Sequence, residues 1–481
     1  MADALVSSKG VRLKKGKGTS NPRLLAAKAL SFWLSKGPGA RPEIQRLGDT
    51  LLKGKRLQEK DRALFWHILV GSVRWLRLIR WHLERYIKRY SRLPVEVQAI
   101  LLTGGFQIIF LSRIPFFSAV DESVKLTRIM GAPWASGLVN ASLRRLATSK
   151  KIVPSTRKEL LERCKGSKAN CLSNLTSHPH WMVKRWLKAW GVDGCVSICL
   201  QNNIQPPLTV RVNTLKIERD SFLDMLKKGG LSAEKTSLSP CGIRLEGFRG
   251  RVEEIPGFEQ GLFQVQDEAA QLVSLLLDLR KGQRVLDVCA GVGGKSTHIA
   301  ELMEDRGNIL ACDTNRSRLQ ILAENSKRLG ITSIRTCLLP KPEKGRIQKR
   351  QLDRIIPCDR ILIDAPCSGL GVIRRHPDIK WNRTPDDIEA LAARQLSLLE
   401  KWASCLKGEG MLVYSVCTME YEETEGVIQS FLETHSDFAL VSAREVLPFL
   451  PDDLVKGGFF RSLPGQYGMD GFFAAVLFKS S

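Results

Sequence analysis

From about Gly257 onward, short and nearly continuous apolar runs alternate with helical stretches, and that rhythm admits few folds. The runs RVLDVCA, NILACD, DRILIDAP and GMLVYSV read as strands, with helices expected at 295–305, 316–329, 386–406 and 422–434. Apolar strands separated by helices mark a parallel, doubly wound sheet covered on both faces. The closing MDGFFAAVLFK supplies a last apolar strand. Ligands bind such sheets outside the carboxyl ends of the strands, so the residues just after each run are where chemistry is expected.

Upstream the period changes. From Pro22 to Ser149 the apolar residues recur at three-to-four spacing, broken at Gly37-Pro38-Gly39, Leu93-Pro94, Ile114-Pro115 and Gly131-Ala132-Pro133, which predicts a compact all-helical domain. Residues 150–175, small and charged, read as a linker. A mixed segment follows, with a helix at WMVKRWLKAWG and strands PLTVRVNTL and CGIRLEG flanking the helix ERDSFLDMLKKGG. The expected order is a basic disordered tail at 1–20, an all-helical domain at 21–165, a small α+β domain at 166–256 and the α/β domain at 257–481. No internal repeat interrupts it.

No apolar run approaches the roughly 18 residues of a membrane span, and the amino-terminal segment lacks the apolar core of a secretion signal. A cytoplasmic protein is expected. Twelve cysteines in a chain this long argue for reduced thiols rather than a disulfide framework. Cys164, Cys171, Cys195 and Cys199 match no common zinc spacing, so no metal is expected. The formal net charge of +25 implies a polyanionic partner, most simply nucleic acid; the plainer alternative is a basic, solubilising surface. Patterning at 74–92 favours the partner. Arg74, Arg77, Arg80, Arg85, Lys88, Arg89 and Arg92 are interleaved with a core-facing stripe of Trp75, Leu78, Ile79, His82, Leu83 and Tyr86, which leaves the arginines exposed.

After Val285-Leu286-Asp287 comes Cys289-Ala290-Gly291-Val292-Gly293-Gly294-Lys295, glycine-rich where a strand turns into a helix. Glycine permits positive φ and close approach to a ligand. The spacing is neither GxGxxG nor that of a phosphate loop. A second strand ends at Asp313, where a carboxylate can hold both hydroxyls of a ribose; the alternative is an ordinary helix cap. Two further strand ends carry Asp364 and Cys367, in DAPCSGLG, and Cys417, in VYSVCT. Buried cysteines are commonly inert. Two of them beside a carboxylate suit a specific reaction. A thiolate adding to C6 of cytosine makes C5 nucleophilic, provided a donor stands near N3 and a base removes the C5 proton. Asp364 would serve at N3, with one cysteine attacking and the other assisting; spacing does not decide which.

The stretches DAPCSGLGVIRRHPDIKW (364–381), FQVQDEAAQ (263–271), LDVCAGVGGKSTHIAE (286–301) and DGFFAAVLFK (470–479) resemble the signatures of the RsmB (Sun/Fmu) family of bacterial ribosomal RNA cytosine-5 methyltransferases. Residues 22–150 resemble that family's NusB-like helical domain, and RVNTL (211–215) its small intermediate domain. The resemblance implies a Rossmann-like methyltransferase domain, S-adenosylmethionine as cofactor and 16S ribosomal RNA as substrate, met before subunit assembly is complete by a monomeric enzyme. Cys289 to Lys295, Asp313, Arg318 and Asp364 would hold the cofactor. Cys417 would be the nucleophile, Cys367 would assist release, and Asp364 would stand between cofactor and base. Arg374, Arg375, His376 and Lys380 would touch RNA together with Arg74 and Arg77, while Lys295 could instead be a solvated helix-start residue.

The chain departs from the family in two places. Gly291-Val292 stands where alanine-proline is usual, and Cys337-Leu338 stands where the third strand commonly ends in an aspartate for the adenine. Two rival functions are the same chemistry on transfer RNA and a non-catalytic RNA-binding or assembly factor.

Overall fold

The computed structural model describes residues 21–149, 152–154, 156–340 and 356–481; the basic tail at 1–20 lies outside them. The chain divides into two compact units. One comprises the residues up to Asn203 together with His376–Arg383, and the other comprises Ile204–Arg375 and Thr384–Ser481.

The first unit is helical. Its main helices are α1 (Pro22–Leu34), α2 (Ile44–Leu52), α3 (Glu59–Arg74), α4 (Leu76–Glu84), α5 (Val95–Phe110), α6 (Phe116–Ile129), α7 (Ser136–Thr148), α8 (Arg157–Arg163), α9 (Lys168–Leu175) and α10 (His180–Gln201). Helix α5 is its centre. Ten of its sixteen residues are buried, including Gly104 and Gly105, where an added Cβ would fall 2.7 Å from Leu143 and 2.7 Å from Ile79. The linker expected at 150–175 instead contains α8 and α9, capped by Thr156 and Ser167. Cys164 and Cys171 form a disulfide, with Cα atoms 5.3 Å apart. This corrects the expectation of reduced thiols throughout. No break was expected between Gly39 and Leu93, yet the non-helical Trp75 separates α3 from α4 within the apolar stripe. Residues 376–383 belong to this unit through Lys380 and Trp381: the Trp381 indole donates to the Val73 carbonyl at 2.8 Å.

The second unit holds two sheets. In the small one, β1 (Leu208–Val212) lies between β3 (Gly242–Leu245) and β4 (Phe263–Val265), with β2 (Ala233–Lys235) outside β3 and α11 (Arg219–Lys228) packed on Phe222 and Leu226. The large sheet begins after α12 (Glu268–Leu275). Its centre is parallel, in the order β7 (Ile334–Leu338), β6 (Asn308–Asp313), β5 (Arg284–Asp287), β8 (Cys358–Asp364), β9 (Leu406–Val416). Helices α13 (Gly294–Leu302), α14 (Arg316–Leu329), α15 (Pro385–Ala403) and α16 (Glu425–Thr434) connect these strands. The sheet is mixed rather than wholly parallel. The carboxyl-terminal β13 (Phe472–Lys479) runs antiparallel to β9, β10 (Phe438–Val441) and β12 (Phe459–Ser462) pair with β13, and β11 (Val455–Lys456) lies outside β12. Residues 472–477 of β13 are all buried, so this strand is covered on both faces, as its unbroken apolar run required.

A buried ion pair ties the two sheets together. Arg211 on β1, with no exposed surface, spends all five donors: two on Glu301 of α13, one on Thr297 and the others on Gln266 and the Gly294 carbonyl. Among the described residues no helix is long and apolar enough to cross a membrane.

Candidate active site

Four strand ends meet at one edge of the large sheet. After β5 the chain crosses the sheet, the Val288 N–H donating to the Leu362 carbonyl at 3.0 Å and the Ala290 N–H to the Cys312 carbonyl at 2.8 Å. Gly291 and Gly293 have φ of 57° and 89°, a region that disfavours side chains, and at Gly293 a Cβ would also fall 2.6 Å from Leu322. At Gly291 and Gly294 nothing stands within 4 Å of the position a Cβ would take, so the loop has open space there. Asp313, ending β6, accepts from the Gly291 N–H at 3.0 Å and the Asn315 N–H at 2.7 Å. It does not cap α14; Asn315 does, accepting from Ser317 and Arg318. The carboxylate is instead built into the glycine loop.

Asp364 ends β8. The Lys295 ammonium donates to one of its oxygens at 2.7 Å and the Ser415 hydroxyl to the other at 2.7 Å. The Lys295 side chain is only 11% exposed and its ammonium stands 5.3 Å from the Phe472 ring centre, so it is not a solvated helix-start residue. Cys367 and Cys417 bring their sulfurs to 3.3 Å, a hydrogen-bonding distance with no covalent link. The hydrogen bond with Cys417 and burial hold the Cys367 thiol well above its usual range. Backbone packing fixes Cys417: its carbonyl accepts from the Gly371 N–H at 3.0 Å, and the Gly371 carbonyl accepts from the Gly471 N–H at 2.9 Å.

Sequence reasoning missed Asp287 and Ser415 as site residues. Asp287 is fully buried, one oxygen accepting from the Ser296 hydroxyl at 2.6 Å and the other without a partner. Burial, then the nearby charges of Asp364 and Asp313, push it up to about 7 against the hydrogen bond from Ser296. Ser415 was legible: it lies next to the end of the apolar run that precedes Cys417. Of the other expected cofactor residues, Cys289 is half-buried with its thiol raised by burial, Val292 is 44% exposed, and Arg318 is exposed on the first turn of α14.

The residues expected to touch RNA are mostly engaged elsewhere. Arg374, nearly fully buried, pairs with Asp470 and donates to the Gly468 carbonyl at 2.6 Å. Arg375 pairs with Asp470 and with Asp267 at 2.8 Å. Lys380 has no exposed surface and donates to the Arg74 carbonyl, the Ser177 carbonyl and the Asn203 side chain at 3.2, 3.0 and 2.7 Å. Burial drives its ammonium far below its ordinary value, and its three donors are all taken. Arg77 donates to Asn174 at 2.8 Å, and Arg74 to the Asn203 carbonyl, with burial lowering Arg74 to about 10. His376 is exposed, as are Arg85, Lys88, Arg89 and Arg92 beyond the end of α4. Among the described residues no group of His, Cys, Asp or Glu is placed to hold a metal ion.

Three family models match in series: NusB over residues 20–148, the RsmF/B ferredoxin-like domain over 178–251, and the 16S rRNA methyltransferase RsmB/F over 274–478. A probable ribosomal RNA small subunit methyltransferase B of Bacillus subtilis is 34% identical over 89% of this chain and 93% of its own length. The chain belongs to the RsmB/F family of methyltransferases. The ribosomal RNA small subunit methyltransferase B of Pseudomonas syringae pv. tomato is 36% identical over 95% of this chain and 97% of its own. A crystal structure of a methyltransferase homolog protein from Pyrococcus horikoshii superposes with a TM-score of 0.55, at 28% identity, over 66% of this chain and all of its own. This family member is therefore an RNA methyltransferase with a NusB-like helical part, a small ferredoxin-like part and a mixed-sheet catalytic part. The missing third-strand acid stands in the fold as Leu338, 38% exposed at the end of β7.

Proposed function

We propose that this enzyme transfers a methyl group from S-adenosylmethionine to C5 of a cytosine in small-subunit ribosomal RNA, through a covalent bond between Cys417 and C6. The observation that carries the proposal is the pair of sulfurs 3.3 Å apart beside the Asp364–Lys295 ion pair. A site built only for cofactor binding needs no second thiol.

The residues present suit the cofactor. Asp287, Asp313 and Asp364 make an anionic setting for a ligand that carries a sulfonium and an ammonium, and the open space at Gly291 and Gly294 leaves it room. Cys289 to Lys295, with Asp313, Arg318 and Asp364, would hold it. It supplies an electrophilic methyl group. The protein supplies the rest. The Cys417 thiolate adds to C6, and the ring's π electrons become available at C5. Asp364, held by Lys295 and Ser415, stands at N3 in this proposal and passes a proton from the Lys295 ammonium to the adduct there. Once C5 carries the methyl group, a water molecule takes the C5 proton, the electrons of that C–H bond re-form the C5–C6 double bond, and the Cys417 sulfur leaves with the electrons of its bond to C6. Cys367 assists this step as the hydrogen-bond partner of the departing sulfur.

The names of the relatives favour small-subunit RNA over transfer RNA. A target base must be turned out of its stack to reach such a cleft, which suits RNA not yet enclosed by a finished subunit, met in the cytoplasm by a monomer. The exposed cations Arg85, Lys88, Arg89 and Arg92, with His376, are the groups proposed to meet its phosphates. Denaturing electrophoresis of enzyme incubated with RNA and cofactor tests the covalent step. Cys367→Ala should accumulate a protein–RNA band that Cys417→Ala lacks. A band of equal strength in both variants would remove Cys417 as the nucleophile.

A further inference from the structure

Behind the two thiols lies a carboxylate that the reaction does not touch. Glu423, in the turn between β9 and α16, has no exposed surface. Its carboxylate accepts from the Ser368 N–H at 2.7 Å, from the Ser368 hydroxyl, and from the Gln395 amide at 3.0 Å. That amide also donates to the Pro366 carbonyl at 2.9 Å. The carboxylate thus grips the loop on both sides of Cys367, directly at Ser368 and through Gln395 at Pro366. The Tyr414 hydroxyl closes the network, donating to Gln395 at 3.0 Å and to the Glu423 carbonyl at 2.7 Å. These partners are neutral. Burial raises the Glu423 carboxyl above its ordinary value, and these hydrogen bonds oppose that by favouring the ionised form without cancelling its charge.

Two thiols 3.3 Å apart cannot both ionise cheaply, so once one proton has left, the two sulfurs share the proton that remains. We propose that the buried carboxylate of Glu423 decides where that proton sits, keeping it on Cys367 and leaving Cys417 as the sulfur that attacks. The inference rests on the cytosine-C5 reading above and adds to it a positioning residue with an electrostatic role. The carboxylate binds the amide next to Cys367, and its field acts first on that sulfur; the Glu423 charge adds to the hydrogen bond and burial that hold Cys367 up. The other titratable groups around the pair are Tyr414 on β9, Asp364 at the end of β8 and Lys295. Burial and the neighbouring charges keep the Tyr414 phenol neutral, and Lys295 is bound to Asp364. During release, a protonated Cys367 is what can donate a hydrogen bond to the departing Cys417 sulfur.

The test is alkylation of Cys367 by iodoacetamide as a function of pH, read by peptide mass spectrometry in a Cys417→Ser background. It needs neither RNA nor cofactor. Glu423→Gln, which keeps the shape and loses the charge, should move the alkylation midpoint down by about 1 pH unit, roughly tenfold more thiolate at a given pH. Glu423→Asp should keep the midpoint above that of an ordinary thiol. With Cys417 restored, Glu423→Gln should lose about tenfold in methyl transfer, and Glu423→Asp should recover part of it. An unchanged midpoint in folded Glu423→Gln overturns the proposal. Should that variant fail to fold, a midpoint for Glu423→Asp at or below an ordinary thiol overturns it instead. Wild-type enzyme that forms no 5-methylcytidine would count against the reaction, whereas a failed alkylation shift counts only against Glu423.

Discussion

At the scale of single residues, the site is a set of carboxylates whose surroundings differ more than their sequence does. Asp313 has backbone donors on both oxygens, Asp364 has an ammonium and a hydroxyl, and Asp287 has one hydroxyl and otherwise burial. Asp287 is pushed up to about 7. An acid raised in the folded state binds its proton more tightly there than in the unfolded chain, where it titrates near 3.9. Stability on its account is highest in acid, falls as pH rises from about 4 to about 7 and is level above that. The fall is on the order of 4 kcal/mol at most. Urea unfolding between pH 5 and 8 should show this slope in wild type and a flatter one in Asp287→Asn; parallel curves would refute it. None of this was readable in the sequence, where Asp287 is one more residue ending an apolar run. That Asp364, Cys367 and Cys417 come together was more legible, because each follows an apolar run that reads as a strand.

At the scale of elements, two turns of the chain do more for catalysis than any helix. Gly371 lies against Gly471 so closely that a Cβ would fall 2.0 Å from the Gly471 carbonyl oxygen and 3.0 Å from that of Cys417. Gly371→Ala must therefore push the end of β9 or the start of β13. A displacement of about 1 Å at a reacting group can cost about a hundredfold in turnover. Gly371→Ala should lose turnover to that order while cofactor affinity, measured by calorimetry, stays near wild type; full turnover would show that Cys417 is positioned otherwise. The helix at 316–329 was legible to the residue, since its polar Asn315 start and Gly330 end are strong local signals. The break at Trp75 was not, because the apolar stripe continues through it and only packing reveals the kink. The direction of β13 was equally hidden: a strand buried on both faces reads the same whether parallel or antiparallel.

At the scale of the whole molecule, the sequence announced three kinds of architecture in series, and the three family matches follow that order. It could not show that residues 376–383, inside a catalytic signature, are part of the helical unit. The cations of RRHPDIK look solvated in the sequence, yet Arg374 and Lys380 are buried among carboxylates and carbonyls. Net charge pointed to a polyanionic partner, and the resemblance to Arg374, Arg375 and Lys380 as contacts; that these cations have internal partners is something neither reveals. In the proposed reaction the two sulfurs at one sheet edge make cytosine C5 able to take a methyl group. The most direct measurement is transfer of labelled methyl from S-adenosylmethionine into unmodified small-subunit RNA, with wild type and Cys417→Ala side by side and nucleoside analysis of the product. Label in 5-methylcytidine for wild type alone is the expected result; label in another nucleoside, or equal label from Cys417→Ala, would contradict it.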